Sequence, residues 1–216
     1  MRKPLRRLVA AATLVLVAAG LAAQSSEAPR LQEQADDALA RGAWYEAVEL
    51  YRETLRINPN YRDALAGLAE AYYWLEEYDQ AQTYVEEARR LARNSPEVLN
   101  LAGRIAIGRG DLGAAAQAFA RVREIEPNNV QASIGEAELA LARGQSVEAA
   151  RRLEAALRLN PEQRKALLSL VLVYEYLGRD EIAGRYLDLA RAVHRDRPEV
   201  HILAAEYHLR ADRYEE

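Results

Sequence analysis

Residues 81–111 read AQTYVEEARRLARNSPEVLNLAGRIAIGRGD, and this stretch decides the fold because its pattern returns on both sides at a fixed spacing. Its first residue belongs to a series of alanines that recur every 34 residues, namely Ala47, Ala81, Ala115, Ala149 and Ala183. A period of about 20 to 50 residues is the signature of a solenoid or a repeat array. The sequence therefore predicts one structural unit copied along the chain.

Each unit is predicted to contain two helices joined by a tight turn. Glycine recurs at one position of the repeat and is expected to end its first helix, as glycine commonly does. These residues are Gly42, Gly110, Gly144 and Gly178. Proline follows the second helix in three copies, at Pro59, Pro127 and Pro161. No segment alternates apolar and polar residues between turn signals, so we expect no strand.

The second copy carries a more specific pattern. Its residues are Leu65, Leu68, Ala69, Tyr72, Tyr78, Ala81 and Ala88. This pattern resembles the tetratricopeptide repeat, and the resemblance extends over residues 31–216. It implies an all-α fold, a right-handed α-solenoid of helix-turn-helix repeats. The repeats would span about 28–61, 62–95, 96–129, 130–163, 164–197 and a partial 198–216.

Small residues also recur on the first helix of each unit. They are Ala35, Ala69, Gly103, Ala137 and Ala205, with Val171 in the fifth copy. We expect them to face the alanine series of the second helices, because small side chains let two helices approach within about 8–10 Å.

A longer period of 102 residues lies above the short one. Tyr72 and Tyr84 match Tyr174 and Tyr186 at this offset. Because 102 is three times 34, we infer that a block of three repeats was duplicated. The chain stops one residue before the alanine expected in the sixth copy, which favours a truncated longer protein over a terminal cap.

The N-terminus has the outline of a secretory signal peptide. Four basic residues (Arg2, Lys3, Arg6 and Arg7) precede an uncharged stretch over residues 8–23. Sixteen uncharged residues are short of the ~20 that a membrane span needs, so cleavage is favoured over an anchor. We therefore expect a signal peptide at 1–22, a linker at 23–30 and a bacterial mature chain that is periplasmic or secreted, with no membrane span.

Composition and motifs argue against catalysis and nucleic-acid binding. The chain has no cysteine, which excludes disulfides and thiolate metal sites. His194, His201 and His208 lie seven residues apart; two helical turns, or about 10 Å, are too far for ligands of one metal. We interpret His201 and His208 as half-buried packing residues. The adhesion tripeptide at 109–111 is explained by the turn that it occupies. No nucleophile and base form a constellation, so we expect no enzyme, no cofactor and no metal.

Charge points to a protein partner rather than to nucleic acid. The full chain has 33 acidic and 29 basic residues, and four of the basic ones lie in the predicted signal peptide. The mature chain would therefore carry a net charge near −8. Phosphate contacts require a basic patch, which disfavours nucleic acid as a partner.

The predicted binding surface is the exposed side of the first helices, which we call the first-helix stripe. At about 100° per residue, the second, fifth, ninth, twelfth and thirteenth positions of the repeat point away from the core positions. In tetratricopeptide proteins this stripe lines a concave groove that contacts peptides. The Lys and Asn set of the family's carboxylate-clamp members is missing here. The candidate contact residues are Asp36, Glu70, Tyr73, Trp74, Asn100, Arg104, Glu138 and Tyr176.

The stripe is rich in acidic and aromatic residues, which favours a ligand with Arg or Lys and an apolar or planar anchor. The resulting hypothesis is a non-catalytic protein–protein interaction scaffold of the cell envelope. An alternative is the periplasmic part of a larger outer-membrane β-barrel protein of polysaccharide export or secretion, with a further domain downstream.

Overall fold

The computed structural model describes residues 27–214, with side chains up to residue 210, and within that range it contains helices and their connections but no strand. The predicted signal peptide at 1–22 lies outside the described residues. The first helix, α1, is described over residues 27–40. It is followed by α2 (Trp44–Ile57), α3 (Arg62–Trp74), α4 (Tyr78–Leu91), α5 (Pro96–Gly108), α6 (Leu112–Ile125), α7 (Val130–Ala142), α8 (Ser146–Leu159), α9 (Arg164–Tyr176), α10 (Asp180–Val193) and α11 (Pro198–Tyr214).

Helix α1 includes part of the segment that the sequence assigns to a linker. Residues 27–30 are helical, whereas the linker is predicted over 23–30. Ala28, Leu31 and Ala35 follow each other at helical spacing, and all three are buried. Burial of this apolar face explains why the helix continues upstream of residue 31.

The helices pack in consecutive pairs, which confirms the all-α repeat fold. α3 packs against α4, α7 against α8 and α9 against α10. The turn within the first pair closes on Gly42 at a φ of 76°, a left-handed conformation that glycine adopts without steric cost. Glu76 takes this position in the second pair with a φ of 60°, the one positive φ of a non-glycine residue between residues 27 and 214.

The chain forms two compact units, one up to Leu101 and one from Ala102 onward, which we call unit 1 and unit 2. In unit 1 the largest fully buried side chains are Tyr51, Leu68 and Val85. In unit 2 they include Ile105, Phe119, Leu153, Leu167, Leu170 and Leu187. All five alanines of the 34-residue series have no exposed surface, as expected for contact points between helices.

Two large rings on second helices lie against glycines of the following first helix. In unit 1, a Cβ added to Gly67 would clash with the ring of Tyr51. In unit 2, a Cβ added to Gly135 would clash with the ring of Phe119. Each glycine follows its ring by 16 residues. Val85 takes the repeat position of Tyr51 and Phe119, and it is smaller than either ring. The residue that follows it by 16 positions is Leu101, which is larger than glycine. The side chains of consecutive repeats are thus matched in size.

The small residues of the first helices are buried as predicted, with one exception. Ala35, Ala69, Ala137 and Val171 are at most 1% exposed. Ala205 on α11 is exposed instead. The reason is that no second helix follows α11 within the described residues, so nothing there covers that face.

A stacked tyrosine pair lies in unit 1. The rings of Tyr72 on α3 and Tyr84 on α4 are stacked, with centroids 5.6 Å apart and planes 5° from parallel. Cζ of Arg52 lies 6.0 Å from the centroid of the Tyr72 ring, within cation–π range. Burial raises the pKa of Tyr72, and the positive charge of Arg52 opposes that rise.

A second stacked pair lies in unit 2, at the positions 102 residues further on. The rings of Tyr174 on α9 and Tyr186 on α10 have centroids 5.8 Å apart and planes 6° from parallel. Both hydroxyls donate to Oε1 of Glu154, at 2.6 Å from Tyr174 and 3.3 Å from Tyr186. Burial and this hydrogen bond raise the pKa of Tyr174 to about 12.

Candidate partner-binding surface

In unit 1, an aromatic–acidic cluster lies on and beside the first-helix stripe, and we define it as Trp44, Glu70, Tyr73, Trp74 and Tyr78. The indole of Trp44 stacks on that of Trp74, with centroids 5.4 Å apart and planes 11° from parallel. Tyr73 meets Trp74 edge to face at 5.5 Å and lies 5.9 Å from Tyr78. Nε1 of Trp74 donates to Oε1 of Glu70 at 3.4 Å. The structure thus brings together three predicted site residues, Glu70, Tyr73 and Trp74.

Trp44 and Tyr78 are members of the cluster that the sequence did not suggest. Each is the first residue of a second helix, α2 or α4, and so lies outside the first-helix stripe. They share one position of the 34-residue repeat, and both are aromatic. That shared aromatic character was the available signal.

Asp36 is committed to a structural contact. Its Oδ1 accepts a hydrogen bond of 2.6 Å from the hydroxyl of Tyr51 and one of 2.9 Å from Nε2 of Gln32. Burial, together with the Asp36 carboxylate, raises the pKa of Tyr51 above its ordinary value. Asp36 therefore anchors the buried tyrosine through Oδ1, although the residue itself is exposed.

Asn100 does not lie on an accessible surface. It is predicted on the stripe at the fifth position of its repeat, but only 8% of its surface is exposed. The neighbouring Leu99 and Leu101 are buried as well, so this part of α5 is enclosed on several sides. Asn100 is therefore not among the residues that a partner could contact.

In unit 2, the predicted charged residues neutralise one another. Nζ of Lys165 lies 2.5 Å from Oε1 of Glu138, and Nε of Arg104 lies 4.0 Å from its Oε2. The Glu138 carboxylate thus stands between two basic groups. The acidic character predicted for the stripe is therefore absent at Glu138.

Unit 2 also carries an apolar pocket of about 390 Å³ on its stripe. Tyr176, the remaining predicted residue, lines it and is 82% exposed. Leu172 and Leu141 are 48% and 41% exposed. The full lining is Leu141, Gly144, Ser146, Ser169, Leu172, Val173 and Tyr176.

The described residues offer little for metal chemistry. Across residues 27–210, no three His, Asp or Glu side chains are close enough together to hold a metal ion. His201 and His208, predicted to be half-buried, are exposed, because no second helix of the described chain covers α11. Nε2 of His201 lies 2.6 Å from the carbonyl oxygen of Arg195. None of the helices in the described part is long and apolar enough to cross a membrane.

Comparisons with known proteins agree with the repeat architecture. The sequence profile of the family described as "Tetratricopeptide repeat" matches residues 38–105 and 106–164, more than half of the chain. The BBSome complex member BBS4 of Bos taurus is 26% identical over 167 residues. That match covers 77% of this chain but 32% of the relative, so the chain spans about a third of its length.

Solved structures show a similar fold. The thermophilic TPR protein TTC0263 of Thermus thermophilus superposes with a TM-score of 0.79 at 16% identity, over 84% of this chain and 99% of that one. YrrB, described as a TPR protein with an unusual peptide-binding site, gives a TM-score of 0.52 at 20% identity, over 88% and 95% of the two chains. At these identities the likeness concerns the fold alone.

Proposed function

Because this chain belongs to the tetratricopeptide repeat family, we propose that it is a non-catalytic scaffold that binds a segment of a partner protein along the first-helix stripe. The supporting observation is the exposure of large aromatic side chains on that stripe. Trp74 is 44% exposed and Tyr176 is 82% exposed. Aromatic residues are enriched at protein interfaces, since they bury a large area with few rotatable bonds. YrrB, which shares the fold, is described as having a peptide-binding site.

The charges suggest where a basic partner residue would bind. In unit 1 the Glu70 carboxylate lies beside the exposed indole of Trp74, a combination that attracts Arg or Lys through charge and cation–π contact. In unit 2 the carboxylate of Glu138 is already paired with Lys165. We therefore propose that the aromatic–acidic cluster of unit 1 favours a basic residue of a partner and that the pocket of unit 2, taken by itself, favours an apolar residue.

This proposal is tested with two nine-residue peptides of equal length, one centred on Arg-Trp-Arg and one on Glu-Trp-Glu. At low salt the first should bind about fivefold more tightly, since a charge pair at 4 Å in water is worth ~1 kcal/mol. Glu70→Arg should abolish or reverse that preference, and salt should weaken it in the unchanged protein. Fluorescence anisotropy of labelled peptides measures both effects.

The matched control is Glu53→Arg on α2, which changes an exposed carboxylate of the same unit outside the stripe. It should leave the preference in place. Equal affinity of the two peptides for the unchanged protein would overturn the assignment of a basic partner, and failure of both to bind would count against the stripe as a binding surface.

We further propose that the protein is exported and acts in the bacterial cell envelope. The basic start and the uncharged stretch over 8–23 support this location. Fractionation of cells that express a C-terminally tagged chain should place it in the periplasm at a mass reduced by about residues 1–22. Retention at full mass in the cytoplasm would exclude export. The alternative of a larger outer-membrane export protein stays a prediction, which the gene sequence beyond codon 216 tests.

A further inference from the structure

The apolar pocket of unit 2 lies where unit 1 holds a tryptophan side chain. At the 102-residue offset, Trp44 corresponds to Ser146 and Trp74 to Tyr176. Trp44 and Ser146 are each the first residue of their second helix, α2 and α8. Both units therefore have an aromatic ring at the end of the first helix, Trp74 or Tyr176. Only unit 1 supplies a second ring, that of Trp44, to stack on it.

The pocket lining supports this correspondence residue by residue. In unit 1, the indole of Trp44 stacks on Trp74 and lies 3.4 Å from a Cβ built on Gly42. The counterparts of those two neighbours, Tyr176 and Gly144, both line the pocket of unit 2. The pocket thus has the walls of the Trp44 site without its indole.

The electrostatic character of the two sites differs. In unit 1 the carboxylate of Glu70 accepts a hydrogen bond from Trp74. Leu172 takes the position of Glu70 in unit 2 and lines the pocket. Apart from the phenol of Tyr176, the lining carries no ionisable side chain. The site therefore matches an uncharged occupant.

We propose that this pocket receives an aromatic side chain of the partner polypeptide, which stacks on Tyr176 as Trp44 stacks on Trp74. The inference rests on the proposed function, since it assigns the chemistry of one residue in the bound segment. Aromatic rings favour offset stacking at centroid distances of about 4.5–7 Å, and the internal pair at 5.4 Å lies in that range. The volume of about 390 Å³ lies within the range of ligand pockets.

The probe for this site is N-acetyl-tryptophanamide, titrated into the full chain and followed by amide chemical shifts. Saturable shifts are expected at Ser146, Leu172 and Tyr176. N-acetyl-leucinamide, which lacks a ring, should bind at least about tenfold more weakly. Ser146→Trp should build in unit 2 the internal stack that unit 1 has between Trp44 and Trp74. It should therefore weaken binding of the probe by at least about tenfold. Ser146→Thr leaves the space open and should bind the probe like the unchanged protein.

Tyr176→Ala gives a second test that does not depend on repacking, because this side chain is 82% exposed and its loss should leave the fold intact. It should also reduce probe binding. No saturable shift in the unchanged protein, or equal binding by the Ser146→Trp protein, would overturn the proposal. Shifts caused by methyl glucoside but not by the tryptophan probe would assign the pocket to a sugar and overturn it as well. The probe needs no partner, so its result is independent of the peptide experiment above.

Discussion

The two tyrosine pairs keep the same geometry while the charge beside them is reversed. Centroid distances of 5.6 and 5.8 Å and plane angles of 5° and 6° are nearly identical. Arg52 accompanies the pair of unit 1, whereas Glu154, its counterpart 102 residues on, accompanies the pair of unit 2. Both duplicated copies therefore keep the stacked rings, and the neighbouring position tolerates either charge because each can engage a tyrosine, Arg52 through the ring face and Glu154 through the hydroxyl.

Removal of one ring from each pair tests whether stability depends on the stack in both units. It should have the largest effect on the free energy of unfolding. Tyr72 and Tyr174 are 4% and 7% exposed, so Tyr72→Ala and Tyr174→Ala should each lower the free energy of unfolding by about 3–5 kcal/mol. Urea unfolding measures the change. Tyr176→Ala, at an exposed ring of α9, should stay within about 0.5 kcal/mol. A large loss in one unit and a negligible loss in the other would show that the pair is needed only once.

Neutralising Glu154 and Arg52 should affect the two tyrosine pairs in different ways. Glu154→Gln removes the charge that accepts both hydroxyl hydrogen bonds and should cost about 1–2 kcal/mol at neutral pH. It should also lower the pKa of Tyr174 from about 12 towards its ordinary value of 10. Arg52→Gln should instead raise the pKa of Tyr72, because Arg52 opposes the rise that burial causes.

The free energy of unfolding should fall as the pH rises above 10. Since the pKa of Tyr174 is raised on folding, its contribution to stability is complete below pH 10 and is lost as the pH rises to about 12. Glu154→Gln should flatten that loss. Tyrosine ionisation followed by ultraviolet absorbance, with urea unfolding at each pH, measures both quantities. Parallel pH profiles for the variant and the unchanged protein would contradict the role of Glu154.

Substitutions in the turns of the same two copies should have the smallest effect on stability. Glu76 holds a φ of 60° where its counterpart in unit 2 is Gly178 with a φ of 66°. A left-handed conformation costs a residue with a Cβ roughly 1–2 kcal/mol, partly offset by the greater freedom of glycine in the unfolded chain. Glu76→Gly should therefore stabilise the protein by about 0.5–1 kcal/mol, and Gly178→Ala should destabilise it by about 1 kcal/mol. Thermal unfolding measures both, and a loss of stability in Glu76→Gly would contradict this account.

The repeat pattern predicted the fold because its signals act within one hairpin. The alanine series and the turn glycines each report on neighbouring turns of the chain, and the structure places them as predicted. The site was harder to predict because it depends on contacts between repeats. The period does not reveal that Lys165 reaches Glu138, that neighbouring packing encloses Asn100, or that Trp44 covers Trp74. A pocket left by the serine at position 146 has no positive signal in the sequence.

The matching of Tyr51 with Gly67 and of Phe119 with Gly135 has a consequence for protein engineering. A graft cut at the hairpin boundary would separate each ring from the glycine that follows it and place it against a larger side chain. A graft cut in the turn within a hairpin would separate Phe119 from Gly103, against which the same ring packs, and the hydroxyl of Tyr51 from its acceptor on α1. The transferable part therefore runs from one first helix, through its second helix, to the next first helix. Chimeras that keep such three-helix pieces intact should fold more readily than chimeras cut at either turn.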